Sequence, residues 1–225
     1  MKKYLILFAL ILIQGCGGGD NTTYVPSDVP TDPDTVFQLF ETGYFTEGYT
    51  VTTNYTGSDT SGGTYTGTYS KQTLAESTFL GQPAIPILSE LQITNTATGA
   101  SASAVGTEYF TPLATDRHYL GYSGDTTTVS ATTSAIPQTA KIGHFGDVGT
   151  YTDNAGYIDV QTWRLDDGGN GTADAVIQSN ETDQFGNPTS SSIETVKIDE
   201  NGNRLSSKIV IYYADSDITV TLNSN

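Results

Sequence analysis

Apolar and aromatic residues alternate with threonine and serine along much of the chain after residue 35. The segments "YTVTTNYT" (49–56) and "TYTGTYS" (64–70) show the period of two that is typical of strands with one buried face. Between them, "GSDTSGG" (57–63) supplies turn residues, so this pattern predicts a β-hairpin. Four further segments have strand-like composition and are separated by glycine, proline and asparagine: 73–80, 84–96, 103–112 and 116–124.

The next segment, "GDTTTVSATTSAIPQT" (124–139), is small and polar, and Val129 and Ile136 are its only sizeable apolar residues. This composition favours a long connection. We therefore place a candidate internal boundary of the folded part near 124–139.

The second half of the chain contains two similar turn sequences, "DQFGN" (183–187) and "DENGN" (199–203), spaced 16 residues apart. Each suits a type I turn that is closed by a left-handed glycine. The flanking segments predict a meander of about four antiparallel strands, and no long amphipathic helix is evident in the sequence. The predicted fold class is all-β, with antiparallel strands in meanders that form a sandwich or a partly open barrel.

The first residues have the layout of a secretory signal peptide. Lys2 and Lys3 form a basic start, residues 4–13 are apolar, and small residues follow. This apolar run is shorter than the roughly 20 residues that a membrane-spanning helix needs. We predict that residues 1–15 are a signal peptide, which lies outside the fold.

The sequence Ile13-Gln14-Gly15-Cys16 resembles the lipobox of bacterial lipoproteins. This resemblance implies that the Cys16 sulfur receives a diacylglyceryl group, that cleavage precedes Cys16, and that palmitate-type acyl chains anchor the protein to a membrane. In enteric-type bacteria, the family's sorting rule retains a lipoprotein in the inner membrane when an aspartate follows the cysteine. Gly17 stands at that position here, so the resemblance implies that the protein is located in the outer membrane. Cys16 is the only cysteine of the chain, so no internal disulfide can form.

The segment after Cys16 is rich in glycine, proline and aspartate and has few apolar residues. Such a composition cannot bury enough surface to order itself. We predict a flexible tether over residues 16–35 and an all-β domain over residues 36–225.

Acidic residues dominate the charge of the chain. The sequence contains 9 Lys and Arg against 25 Asp and Glu, and removal of Lys2 and Lys3 with the signal peptide leaves 7 against 25, or a net charge of −18. Binding to nucleic acid requires basic clusters that neutralise phosphates. The composition therefore predicts no nucleic-acid partner and favours a solvated acidic surface.

The segment "DDGGNGTAD" (166–174) is the strongest candidate for a metal site. Asp166, Asn170 and Asp174 occupy positions one, five and nine of an EF-hand-like calcium loop. Gly168 and Ile177 stand where such a loop needs an oxygen ligand and a bidentate carboxylate. A glycine-rich hairpin is the favoured interpretation, with calcium as the alternative and no other cofactor expected.

Catalytic chemistry has little support in the sequence. The two histidines, His118 and His144, have Asp116 and Asp147 nearby, but Ser123 lacks the spacing of a nucleophile elbow. We therefore expect a non-enzymatic envelope lipoprotein whose β-domain binds a protein or a surface polymer such as polysaccharide. The alternatives are a lipid or amphiphile carrier with a half-open β-barrel, which predicts an apolar cavity of several hundred Å³, and a hydrolase.

Overall fold

The computed structural model describes residues 29–224. The predicted signal peptide, Cys16 and the predicted tether up to residue 28 lie outside these residues. Regular structure within the described part consists of strands and one short 3-10 turn, Ala114–Asp116. The strands are β1 Val36–Gln38, β2 Thr50–Asp59, β3 Thr64–Thr73, β4 Ser77–Phe79, β5 Gln82–Asn95, β6 Ser101–Phe110, β7 Tyr119–Ser123, β8 Thr127–Thr133, β9 Thr139–Lys141, β10 Phe145–Asp153, β11 Ile158–Gly169, β12 Thr172–Thr182, β13 Pro188–Ile198, β14 Arg204–Tyr213 and β15 Ile218–Ser224.

Twelve of these strands form a closed antiparallel barrel, which confirms the all-β prediction. Each strand pairs with the next along the chain, except that β4 and β9 are bypassed, so that β3 pairs with β5 and β8 with β10. Pairing of β15 with β2 closes the ring. Closure leaves no unpaired edge in the main ring.

Strand direction divides the barrel into two ends. The distal end consists of six short hairpins, which span residues 59–64, 95–101, 123–127, 153–158, 182–188 and 213–218. The proximal end carries the longer connections, the β4–β5 hairpin and the N-terminal segment, which we define as residues 29–49.

Alternation along the strands determines what fills the barrel. In β2, Val51 and Tyr55 point inward and are buried, whereas Thr50 and Thr52 are exposed. Threonine suits this outer face because its β-branched side chain fits a strand and its hydroxyl meets water. The interior is occupied by apolar and aromatic side chains, among them Tyr69, Ile87, Phe110, Tyr119, Val148, Tyr151, Leu165, Val196 and Ile209.

The N-terminal segment covers the proximal end. Strand β1 pairs with β9 in a separate two-stranded sheet, and Phe37, Leu39 and Tyr44 are buried against the barrel core. The ring of Phe45 packs 5.3 Å from that of Phe110 at the end of β6. Each buried side chain of this size contributes roughly 1.5–3 kcal/mol, so the segment is an integral part of the core.

The structure corrects the prediction of a long connection over 124–139. Residues 127–133 form β8, which is hydrogen-bonded to β7 on one side and to β10 on the other. The low apolar content of β8 misled the prediction, because threonine has a high strand propensity and the neighbouring strands supply the buried contacts. The candidate boundary therefore falls within the continuous ring of strands.

The predicted turns at 183–187 and 199–203 are confirmed. One carboxylate oxygen of Asp183 accepts hydrogen bonds from the backbone N–H groups of Phe185 and Asn187, and Asp199 does the same two and four residues on. The first turn lies at the distal end and the second at the proximal end. Asp59 and Asp153 form the same pattern in the 59–64 and 153–158 hairpins.

Within residues 29–224, no helix is long and apolar enough to cross a membrane.

Candidate functional site

A cluster of four charged side chains lies inside the barrel. Lys71 on β3 and Glu108 on β6 form an ion pair in which Nζ donates to both carboxylate oxygens, at 2.9 and 2.8 Å. Glu194 on β13 and Arg204 on β14 form a second pair, with Nη2 at 3.7 Å from Oε1. All four side chains are buried. The cluster is electrically balanced, which limits the cost of its removal from water.

The second pair is incompletely hydrogen-bonded. Arg204 Nη2 donates to the hydroxyl of Tyr55 at 2.5 Å, and that hydroxyl lies 2.8 Å from Ser207 Oγ. Both carboxylate oxygens of Glu194 have no hydrogen-bond partner among the described residues, and neither do Nε and Nη1 of Arg204. Burial raises the pKa of Glu194 from 4.5 to about 7, against the opposing effects of Arg204 and Lys71.

The cluster lies under the N-terminal segment. Thr73, at the end of β3, donates its hydroxyl hydrogen to the backbone carbonyl of Tyr44 at 2.6 Å. Burial, reinforced by the charges of Glu108 and Glu194, raises the pKa of Tyr44, so this phenol stays neutral. The arrangement holds the N-terminal segment in the barrel, and all four charged side chains are buried, which suits a structural role.

The cavity that borders the N-terminal segment is small. That cavity offers about 20 Å³ of space, enough for about one water molecule. It lies against Leu39 and Phe40 of the N-terminal segment and Trp163 of β11. A barrel is compatible with a carrier, but this cavity is too small for a lipid chain unless the residues that line it move.

The three residues of the predicted calcium loop lie at the proximal end of β11 and β12. Asp166 and Asp174 are register partners across these strands. Asp166 accepts a hydrogen bond from Arg164 at 2.8 Å, and Asp174 pairs with Lys197 at 3.3 Å. Lys197 also donates to the carbonyl of Gly168 at 2.5 Å. Its ammonium group thus occupies the position between carboxylate and carbonyl that a bound cation would need.

Asn170 has a different role, in the turn between β11 and β12. Its left-handed backbone, with φ of 55°, closes the turn. It exchanges hydrogen bonds with the backbone of Val29, and the neighbouring Asp167 accepts the N–H of Thr31 at 3.1 Å. The structure therefore brings Asp166 and Asp174 together and uses Asn170 to dock the N-terminal segment. Within the described residues, no cluster of three or more His, Cys, Asp or Glu residues forms a metal site.

The histidines lie at the proximal end. His118 Nδ1 is 2.5 Å from Thr133 Oγ1, and its Nε2 is 2.9 Å from Asp116 Oδ1. The hydroxyl of Thr133, the imidazole of His118 and the carboxylate of Asp116 are thus linked by two consecutive contacts. Nucleophilic catalysis requires contacts of this kind. The carboxylate of Asp116, however, is 62% exposed, on a loop that faces solvent. Water competes for this carboxylate, and the contacts order the loop. His144 contacts the backbone N–H of Lys141 at 3.4 Å.

Basic residues are distributed unevenly between the two ends of the barrel. The six distal hairpins contain six aspartates and no lysine, arginine or histidine; the aspartates are Asp59, Asp125, Asp153, Asp183, Asp215 and Asp217. Hydrogen bonds from Ser61, Tyr65 and Gly63 lower the pKa of Asp59 to about 2, and those from Asn187 lower the pKa of Asp183. The carboxylates of Asp59 and Asp183 therefore remain charged at neutral pH.

Phe185 is the most exposed apolar side chain of the distal end, with 80% of its surface in contact with solvent. It lies at the tip of the β12–β13 hairpin, between Asp183 and Asn187. Exposed aromatic side chains are enriched in binding interfaces. The alternation of apolar residues in the sequence could not reveal it, since the residue belongs to a turn.

Comparisons with known proteins identify no family. No family model matches the chain, and no curated protein does. Among solved structures, a protein from Parabacteroides distasonis ATCC 8503, provisionally described as a lipoprotein and determined at 2.70 Å, aligns with 83% of this chain and 96% of its own. The two share 11% sequence identity with a TM-score of 0.32. This likeness is too distant to carry an argument about either protein.

Proposed function

We propose that the chain is a lipid-anchored protein of the bacterial cell envelope, whose barrel binds a protein or a surface polymer through its distal end. The observation that carries this proposal is the position of the N-terminal segment. It meets the barrel at the β11–β12 turn of the proximal end, where Val29 pairs with Asn170. An anchor at Cys16 therefore holds the proximal end towards the membrane and leaves the distal hairpins free.

The distal end has the features of a binding surface for a positively charged partner. Its six aspartates carry no compensating basic residue in the hairpins, and Phe185 offers an exposed aromatic side chain among them. Charged groups at the rim accelerate and orient association, and a central aromatic group supplies much of the affinity. A cationic protein domain or polymer fits this chemistry.

The anchor is tested by growth of the producing cells with a palmitate analogue that carries a clickable group. We expect the protein to be labelled, and we expect the Cys16→Ser variant to lack the label. Labelling of both proteins, or of neither, would contradict acylation at this residue.

The binding surface is tested by photo-cross-linking in intact cells. A photoreactive residue replaces Phe185 at the distal end or, as the matched control, Phe145 at the proximal end, which is 81% exposed. We expect a discrete adduct from position 185 that is absent from position 145 and that weakens when Asp125→Asn and Asp215→Asn are combined. Equal adduct patterns from the two positions would contradict a distal binding surface.

A further inference from the structure

The exposed apolar side chains of the barrel are concentrated at the proximal end. Seven large apolar residues are at least half exposed, and all except Phe185 lie at this end; they are Val29, Val36, Leu80, Leu113, Phe145, Phe185 and Leu205. Three of them occupy the tips or edges of proximal connections: Leu80 in the β4–β5 turn, Leu113 between β6 and β7, and Phe145 at the start of β10. Such a concentration marks an interaction surface.

The turn that presents Leu80 is unusual for its sequence. Leu80 has φ of 50° and Gly81 has φ of 84°, which is a conformation that asparagine, aspartate or glycine normally adopts at an exposed tip. A leucine here is disfavoured both by its backbone and by its contact with water, with 65% of its surface exposed. This combination is explained if the side chain has an apolar partner.

The length of chain between the anchor and the barrel limits the distance between the proximal end and the membrane. Thirteen residue steps separate Cys16 from Val29, so even a fully extended chain spans at most about 45 Å. Val29 is bonded to the β11–β12 turn at the proximal end. With Cys16 in the bilayer, as proposed above, Val29 and the β11–β12 turn stay within this distance of the membrane, so the proximal end can reach the lipid surface.

The charge of the barrel does not decide its orientation. Lys141, Arg164 and Lys197 are partly exposed at the proximal end, but carboxylates such as Asp116 and Asp166 lie there as well. Both ends are therefore acidic, and the contact with the membrane depends on the apolar side chains and on the tether.

We propose that the proximal end of the barrel rests on the lipid surface, with the side chains of Leu80, Leu113 and Phe145 inserted among the headgroups. This inference rests on the acylation of Cys16 in the proposed function. Apolar side chains of this type bury their surface at the boundary between headgroups and acyl chains. The contact orients the barrel, and the distal hairpins then point away from the membrane.

The test uses the lipidated full-length protein in phosphatidylcholine vesicles that contain a lipid with a headgroup-level spin label. An engineered cysteine carries the fluorophore NBD, and Cys16 does not react because its sulfur is in a thioether. The variants are Leu113→Cys and Phe145→Cys, with Phe185→Cys as the matched distal control. We expect blue-shifted emission at positions 113 and 145 and quenching at least threefold stronger than at position 185.

Two readouts separate this inference from the anchor on which it rests. Flotation with the vesicles reports the anchor, and the difference in quenching reports orientation. Flotation with equal quenching at positions 145 and 185 would overturn the proposed contact and leave the anchor intact. Failure to float would overturn both.

A second variant tests the role of the inserted side chains. Leu80→Asn suits the left-handed turn, so it removes the apolar group without strain. When it is combined with Phe145→Ser, we expect the quenching at position 113 to fall to within twofold of that at position 185, with unchanged flotation. Undiminished quenching at position 113 would contradict insertion of these residues.

Discussion

Lys71 and Glu108 form a two-oxygen ion pair inside the barrel, with Nζ at 2.9 Å from Oε1 and 2.8 Å from Oε2. The two residues lie on β3 and β6, which are separated by β5. Their side chains are essentially inaccessible, at 0% and 1% exposure. Burial lowers the pKa of Lys71 and raises that of Glu108, while their mutual attraction opposes both shifts. The pair therefore stabilises the barrel only while both members are present.

Replacement of one member should be much more damaging than replacement of both. We expect Lys71→Met to lower the free energy of unfolding by roughly 3–5 kcal/mol, because Glu108 is left buried without this cation. Combination with Glu108→Leu should restore a substantial part of the loss. Urea unfolding followed by tryptophan fluorescence measures both values. A single substitution that costs less than about 1 kcal/mol would contradict a tight internal pair.

The charge of Glu194 should make stability depend on pH. Its folded pKa of about 7 lies above the unfolded value of 4.5, so the folded state binds the proton more tightly. The group's contribution to stability is present below pH 4.5 and is lost as the pH rises to about 7. Relative to the native protein, Glu194→Gln should be about equally stable near pH 4.5 and roughly 3 kcal/mol more stable at pH 8.

Denaturant titrations of both proteins at several pH values give this difference directly. Groups such as Glu108 are common to both proteins, so their own titration largely cancels in the comparison. If Glu194→Gln were the less stable protein at pH 8, the charge of Glu194 would be stabilised by Arg204 more than burial opposes it.

Two buried tyrosines should respond in opposite ways to the loss of a hydroxyl group. The hydroxyl of Tyr44 has no hydrogen-bond partner among the described residues, whereas that of Tyr55 contacts Ser207 and Arg204. We expect Tyr44→Phe to leave stability unchanged or to raise it by about 1 kcal/mol. Tyr55→Phe should lower it by about 1–3 kcal/mol, because Arg204 loses an acceptor. Equal losses for both variants in thermal unfolding would contradict the hydrogen bonding described here.

Calcium binding at the β11–β12 turn is testable through thermal stability. Because Lys197 is paired with Asp174, we expect millimolar Ca²⁺ to leave the Tm of the native protein unchanged within about 1 °C. Lys197→Met should make the two carboxylates more available and any calcium response larger. A calcium-dependent rise in the native Tm that Asp166→Ala abolishes would instead confirm the calcium loop predicted from the sequence.

The sequence predicted the strands more reliably than their closure. Alternation in 49–56 and 64–70 located β2 and β3, because both strands have one buried face. It failed for β8, where threonine fills positions that a search for apolar residues overlooks. Closure depends on the pairing of β15 with β2, and these strands are about 160 residues apart. No local pattern contains that information.

The candidate sites were harder to predict from the sequence than the strands. Lys71 shares the inward face of β3 with Tyr69, a placement that alternation implies, but a lysine is normally assigned to the outer face. Its partner Glu108 lies two strands away in the ring, so only the folded barrel reveals the pair. The exposure of Phe185 and Leu80 likewise depends on turns whose surroundings the sequence does not specify.

Native mass spectrometry of the protein purified from membranes is the most direct test of the account, in which the barrel is filled by its own chain and is anchored through Cys16. The predicted result is a polypeptide that begins at Cys16, carries covalent acyl mass and has no lipid-sized adduct that gentle activation removes. A polypeptide without acyl mass would contradict the anchor. A dissociable lipid-sized adduct would contradict the filled barrel and favour a carrier.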